Sequence, residues 1–315
     1  MLEPLVRWAD VIANNFRAGG LERLGLSYEV CRGWNKQIIY TSNSGFGPNV
    51  STQAILQLLV VCESFLTDCL WMQGEWAEKP SFDGIAQAFS GSMVEAGGGP
   101  TRGTPVLTPW VFSDEVGALN YAVAILQALY AREKTGLGQH VETSQLGATV
   151  SFQYYGMSPA LHDPEHKQRD DGRNPNETSV VRIVAQCSDG KWIVALPNTD
   201  KQWRAFAEEA LQRPDFYERA PTKELRNETA DEMKPEIKAE LAKRSRDEWV
   251  VRLNAADVPA SPVHDYNDVA TDPQLRANGY IKDQEIFSPD DGRSFGTRTI
   301  LGYPIWCDSV SLFAI

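Results

Sequence analysis

Apolar and polar positions alternate along the first fifty residues in blocks that change period. "LEPLVRWADVIANNF" reads as the end of a helix followed by a short β segment, residues 10–12. "GGLERLGLSYEVCRGWN" is a helical stretch opened by glycines, and "KQIIYTSNSGFG" is a strand running into a glycine turn. Helix, strand, helix, strand is the order of a doubly wound parallel sheet, which places ligands at the loops beyond the carboxyl ends of its strands. Those loops are residues 14–20 and 42–47. Residues 81–100 give a helix ending in a glycine run.

The longest apolar pattern lies in "WVFSDEVGALNYAVAILQALYAREKTGLGQH", residues 110–140. Val116, Val123 and Tyr130 recur every seven residues, with Leu119, Ala122, Leu126 and Leu129 on the neighbouring stripe. So broad an apolar face predicts a largely buried helix, stopped by Gly136 and Gly138 and followed by a strand at "QHVETSQ". Residues 160–178 are polar and rich in Asp, Asn and Pro, the pattern of a loop or an interdomain connection. "SVVRIVAQCSDGKWIVAL" predicts a hairpin turning at Asp189-Gly190. Charged helices follow to about residue 253, and the tail reads as a helix flanked by strands.

Composition adds limits. The 315 residues, 42% hydrophobic, 10% aromatic and 23% charged, suit a globular chain with a substantial core. A net charge of -12 argues against a surface that coats nucleic acid or anionic membrane, while leaving a local phosphate site open. Five scattered cysteines without a C-x-x-C pair suit a reducing compartment and give no metal knuckle. His162 and His166 are separated by Pro164, which disfavours the helix that would bring them together. Asn49, Asn176 and Asn227 head glycosylation triplets that carry meaning only in a secretory setting, and the N-terminus has no signal-peptide pattern. Phosphate loops of the Walker type and G-x-S-x-G elbows are absent from the sequence. Residues 50–73 are too interrupted by Gln57, Glu63 and Asp68 to span a membrane.

Taken in order, "ADVIANNFRAGGLERLGL", "IIYTSNSGFG", "FDGIAQAFSG", "SDEVGALNYAVAILQALYAREKTGLGQHVE" and "VPASPVHDYNDVATDPQLRANGYI" resemble the class III CoA-transferases, the formyl-CoA and carnitine CoA-transferase group. The resemblance implies an α/β fold: a Rossmann-like domain, incomplete at the N-terminus, plus a smaller α+β domain. With the composition shift near 160–178 as the boundary, residues 1–160 are expected as the CoA-binding and catalytic part, 161–178 as linker, 179–285 as the smaller domain and 286–315 as a returning segment. Family members move CoA between carboxylic acids, and two chains interlock. The expected partners are therefore acyl-CoA and acid substrates and a second chain, in an intracellular setting, cytoplasmic or mitochondrial. CoA is expected as substrate, with no tightly bound cofactor and no metal.

The resemblance also assigns residues. Asp114 stands where the family's nucleophilic aspartate stands, and a helix N-terminus favours the ionised, attacking form of a carboxyl. From position alone, an Asp at a helix start reads first as a helix cap, and it is the resemblance that reverses this order. Asn15, Phe16 and Arg17 in "NNFRAG", Arg23 in "LERLG" and Lys79 correspond to positions that hold CoA, although Arg23 also suits a solvated helix face. Asp83 matches an acidic position beside the family's active site, or caps its own helix. Phe82 stands where the related acyl-CoA racemases carry a histidine base, and a phenyl ring cannot take a proton.

Two departures qualify the match. The family's opening strand–helix–strand units have no counterpart before Met1, which implies a partner chain, an incomplete product or a catalytically silent subunit. Residues 50–73 interrupt a join that reads smoothly without them, as a retained intron or a genuine surface helix.

Overall fold

The computed structural model describes residues 2–17, 19–47, 75–163, 165, 179–302, 304 and 305. The expected insertion at 50–73 and most of the 161–178 connection lie outside these residues. The chain divides into two compact units, residues 1–175 and 176–315.

The first unit begins with helix α1 (Glu3–Trp8), strand β1 (Val11–Asn14), helix α2 (Tyr28–Trp34) and strand β2 (Ile39–Ser44). The single helix expected between β1 and β2 is broken. A 3-10 turn, Glu22–Leu24, ends at Gly25 in the left-handed region (φ 78°). Ser27 then caps α2 by accepting from Val30 N. Next come α3 (Asp83–Phe89), α4 (Ser92–Ala96), α5 (Phe112–Thr135), β3 (His140–Ser144), α6 (Gln145–Phe152) and α7 (Tyr154–His162). The helix expected within residues 81–100 is likewise two, divided at Gly91 with φ 82°. Helix α7 occupies residues 160–162, where a polar loop was expected.

The sheet of this unit is parallel, in the order β1-β2-β3, with Val11 opposite Ile39 and Tyr40 opposite His140. Its central strand buries Ile39, Tyr40 and Thr41 in succession, as a parallel strand covered on both faces does. Val6, Leu21, Cys31, Ile38 and Tyr40 form the local core. Burial, with Glu22 nearby, pushes the Tyr40 hydroxyl well above its ordinary titration range, and that hydroxyl donates to Leu26 O at 2.9 Å.

Helix α5 corrects the expectation of burial. Ser113, Gly117 and Ala128 are buried, but Leu119 (70% exposed), Val123, Leu126 (64%) and Tyr130 face outward. Period shows which residues share a face. It does not show what covers that face. The expected stop is present: Gly136 adopts φ 71° and returns its N–H to Arg132 O.

In the second unit, β4 (Ile183–Gln186), β5 (Trp192–Ala195) and β6 (Ala260–Pro262) form an antiparallel sheet in that order. The β4–β5 hairpin turns at Gly190, φ 75°, as its Asp-Gly pair predicts. Five α-helices follow β5: α8 (Asp200–Ala205), which runs on into a π-helical turn at Phe206–Ala210, α9 (Pro214–Arg219), α10 (Lys223–Glu228), α11 (Ala230–Leu241) and α12 (Arg246–Ala255). Trp203, Phe206, Phe216, Met233, Ile237, Leu241 and Trp249 make the centre of their core. Two short helices, α13 (Tyr266–Thr271) and α14 (Pro273–Ala277), lead to a separate hairpin of β7 (Ile281–Phe287) and β8 (Ser294–Leu301). The boundary expected at 285–286 falls inside β7.

Candidate active site

Helix α5 starts after Val111, whose apolar side chain cannot satisfy the helix's first N–H groups. Those groups are met from elsewhere. Asp83, the first residue of α3, accepts from Ser113 N at 2.7 Å and from Asp114 N at 3.4 Å through Oδ1. Its Oδ2 accepts from Gln87 Nε2 at 2.7 Å, and Gln87 Oε1 accepts from Thr108 N and Thr108 Oγ1 at 3.1 and 3.0 Å. Asp83 therefore caps α5 from another helix. Asp114 is the third residue of α5 and does not cap it.

The Asp114 carboxylate is directed elsewhere. Its Oδ1 accepts a hydrogen bond from Gln145 Nε2, and Gln145 Oε1 accepts from Ser81 Oγ at 3.0 Å. Gln145 opens α6 directly after β3, where Ser144 caps the helix by accepting from Gly147 N at 2.9 Å. Glycines let these pieces meet. A methyl group at Gly45 would lie 2.2 Å from Ser81 Cβ, and one at Gly117 would lie 3.6 Å from both Asn43 Nδ2 and Gln145 Cα. Gly45 O accepts from Leu146 N at 3.0 Å, and Asn43 Oδ1 from Thr143 Oγ1 at 3.1 Å. Asp114 and Gln145 thus stand at the carboxyl ends of β2 and β3, where open α/β sheets bind ligands.

The loop after β1 is tied to the same helix. Tyr121 OH, two turns along α5 from Asp114, accepts from Asn14 N at 3.0 Å and shares a 2.6 Å bond with Thr41 Oγ1. Asn14 Nδ2 donates to Thr41 O, and Asn14 Oδ1 accepts from Phe16 N. Beyond this anchor Asn15, Phe16 and Arg17 are exposed. Arg23 folds back towards the loop, since a methyl group at Gly19 would lie 3.0 Å from its Nη1. Guanidinium groups such as those of Arg17 and Arg23 suit a diphosphate or phosphate monoester.

Lys79 is exposed in the turn before Ser81, its N–H on Trp76 O at 2.9 Å, and the described bonds do not join it to the 15–23 loop. Phe82, 79% exposed, precedes Asp83. Among the described residues, no three His, Cys, Asp or Glu side chains gather into a metal site. No helix among them is long and apolar enough to cross a membrane.

The sequence reading did not single out Gln145, Ser81, Gln87 or Tyr121. A polar glutamine in "VETSQLGATV", at the junction of strand and helix, is the one local signal for the first of these.

Comparison with known proteins adds to this geometry. Residues 1–299 match CoA-transferase family III. The chain is 30% identical over 296 residues to the acetyl-CoA:oxalate CoA-transferase of Acetobacter aceti, covering 90% of this chain and 67% of that protein. It is 31% identical over 304 residues to the succinyl-CoA:mesaconate CoA-transferase of Haloarcula marismortui, covering 96% and 68%. Among solved structures, Rv3272 of M. tuberculosis superposes with a TM-score of 0.74 at 22% identity, over 98% of this chain and 71% of the other.

Proposed function

We propose, proceeding from the fact that this chain belongs to CoA-transferase family III and is a CoA-transferase, that it moves CoA from an acyl-CoA to a free carboxylic acid through Asp114. A carboxylate oxygen of Asp114 attacks the thioester carbonyl, the C–S bond breaks, and a mixed anhydride forms as CoA thiolate leaves. The thiolate attacks the Asp114 carboxyl carbon, releasing the first acid and leaving an aspartyl-CoA thioester. The acceptor acid then reverses the two steps. Covalent storage divides one exchange into easier parts.

The observation that carries this reading is the supply of bonds around Asp114. Its own helix start is capped by Asp83, which leaves the Asp114 carboxylate exposed beyond the ends of two parallel strands. In this reading Asn15, Phe16, Arg17 and Arg23, with Lys79, hold the nucleotide end of CoA. Phe82 offers no base for racemisation.

A second copy of this chain is the proposed occupant of the uncovered apolar face of α5. Sedimentation of the active protein should return twice 35.0 kDa, and a monomer mass would remove that part of the reading.

The test of the chemistry is direct. The protein is incubated with acetyl-CoA or succinyl-CoA, quenched with hydroxylamine and digested. The peptide holding Asp114 should carry a hydroxamate, and Asp114→Asn should neither label nor transfer. Full transfer by the asparagine variant would end the proposal.

A further inference from the structure

We propose that Gln145 is a positioning residue for Asp114 which also stabilises the charge that arises on the Asp114 carboxyl when thiolate attacks it, an inference that rests on the acyl-accepting role proposed above. Gln145 is only 9% exposed, and both ends of its amide are engaged. Ser81 Oγ donates to its Oε1, so the amide is oriented with Nε2 towards Asp114 Oδ1. The scaffold behind it is fixed on two sides: β3 pairs with β2 through Ser144 opposite Ser44, and Leu146 N donates to Gly45 O.

Holding Oδ1 has a chemical consequence. Among the described residues, Gln145 is the one donor to the Asp114 carboxylate, and no donor meets Oδ2. Oδ2 is therefore the oxygen free to attack. After the first step Oδ2 bridges the anhydride, and Oδ1 is the carbonyl oxygen on the Asp114 side. When thiolate adds to that carbon, the C=O electron pair moves onto Oδ1. Collapse re-forms the carbonyl and expels the first acid with Oδ2. An N–H already on Oδ1 meets the charge where it develops, the arrangement that accounts for oxyanion stabilisation. A carboxamide serves both stages, since it donates to carboxylate and to tetrahedral oxyanion without changing protonation. Attack at the acyl carbon makes no comparable demand on Oδ1.

The variants are Gln145→Met, which keeps length without a donor, and Ser81→Ala, which frees the far end of the amide. Removing one oxyanion donor typically lowers kcat about 10²–10³-fold, so Gln145→Met should fall by that factor. KM for acyl-CoA should stay within about threefold, because the loss falls on the transition state. The thermal midpoint should stay close to the parent's. Ser81→Ala should lower kcat by a smaller factor and add nothing on the Gln145→Met background, since the two residues act as one unit.

Parent-level kcat in Gln145→Met, or a loss that tracks the thermal midpoint with additive Ser81→Ala, would overturn the inference. Should Gln145→Met fail to fold, Ser81→Ala decides alone, and full activity there overturns it. Absence of a hydroxamate on Asp114 in the parent protein would instead sink the nucleophile reading beneath it.

Discussion

Removing the Asp83 carboxylate should loosen the start of α5 by an amount its bonds allow one to work out. Asp83→Ala leaves two buried donors unmet: the N–H of Ser113 and the side-chain N–H of Gln87, both residues fully buried. Gln87 cannot turn over to relieve this, because its Oε1 already takes the Thr108 N–H and hydroxyl. Loss of a helix cap costs about 0.5–2 kcal/mol, and each buried unmet donor about 1–3 kcal/mol. These overlap at Ser113, so a total of about 2–4 kcal/mol is expected. For a unit of this size that is a fall of roughly 4–16 °C in thermal midpoint.

Asparagine should fall between. Its one carbonyl oxygen can serve Ser113 N or Gln87 Nε2, and its own NH₂ then faces a donor. Differential scanning calorimetry measures the midpoints. Hydrogen exchange on the peptide spanning residues 108–119 reads the local effect, with faster exchange at Ser113 and Asp114 expected in Asp83→Ala. A midpoint within 1 °C of the parent's, together with unchanged exchange there, would refute the assignment of Asp83 as the cap of α5.

Two further outcomes follow from other parts of the molecule. Gly138→Ala would put a methyl carbon 2.0 Å from Ile38 O, forcing β2 and the α5–β3 link apart; overpacking of this kind costs about 1–3 kcal/mol or more. Gly156→Ala in α7 meets open space and should be neutral or stabilising by up to about 1 kcal/mol, so thermal midpoints of the pair should move in opposite directions. Acid should also be felt selectively. The bidentate Arg213 guanidinium holds the Asp215 carboxyl below its ordinary range, and Arg246 does the same for Asp247. A depressed folded value adds stability above the ordinary carboxylate range and loses it as pH falls through the folded value. The stability gap between parent and Asp215→Asn, measured by urea unfolding, should therefore close below about pH 4. A gap constant from pH 7 to pH 3 would contradict this.

What the sequence made legible follows from local physics. β-Branched runs at Val11-Ile12 and Ile38-Ile39 gave the first two strands. The Asp189-Gly190 pair gave the hairpin, and Gly136 the end of α5. Glycines also undid two expectations. Gly25 and Gly91 sit in left-handed conformations and divide helices that apolar spacing alone had joined. The exposure of Leu119 and Leu126 was beyond reach, because period fixes a face but names no neighbour. The same holds for the site. Motif matching could raise Asp114 and Asp83 as candidates. That one caps the other's helix across 31 positions is a tertiary fact. Gln145 escaped because a single amide at a strand–helix junction has many ordinary uses.

Tyr121 lies seven residues beyond Asp114 on α5, and its hydroxyl grips the backbone at Asn14. At 1.5 Å per residue the helix axis separates them by about 10 Å. One rod thereby sets the spacing between the point of reaction and the loop proposed to hold the nucleotide. Length along that rod cannot be altered without altering direction: one residue inserted between the two positions would swing Tyr121 by about 100° and detach the loop. Natural or engineered change in substrate reach is therefore expected in the surrounding connections, while the register between residues 114 and 121 stays constant.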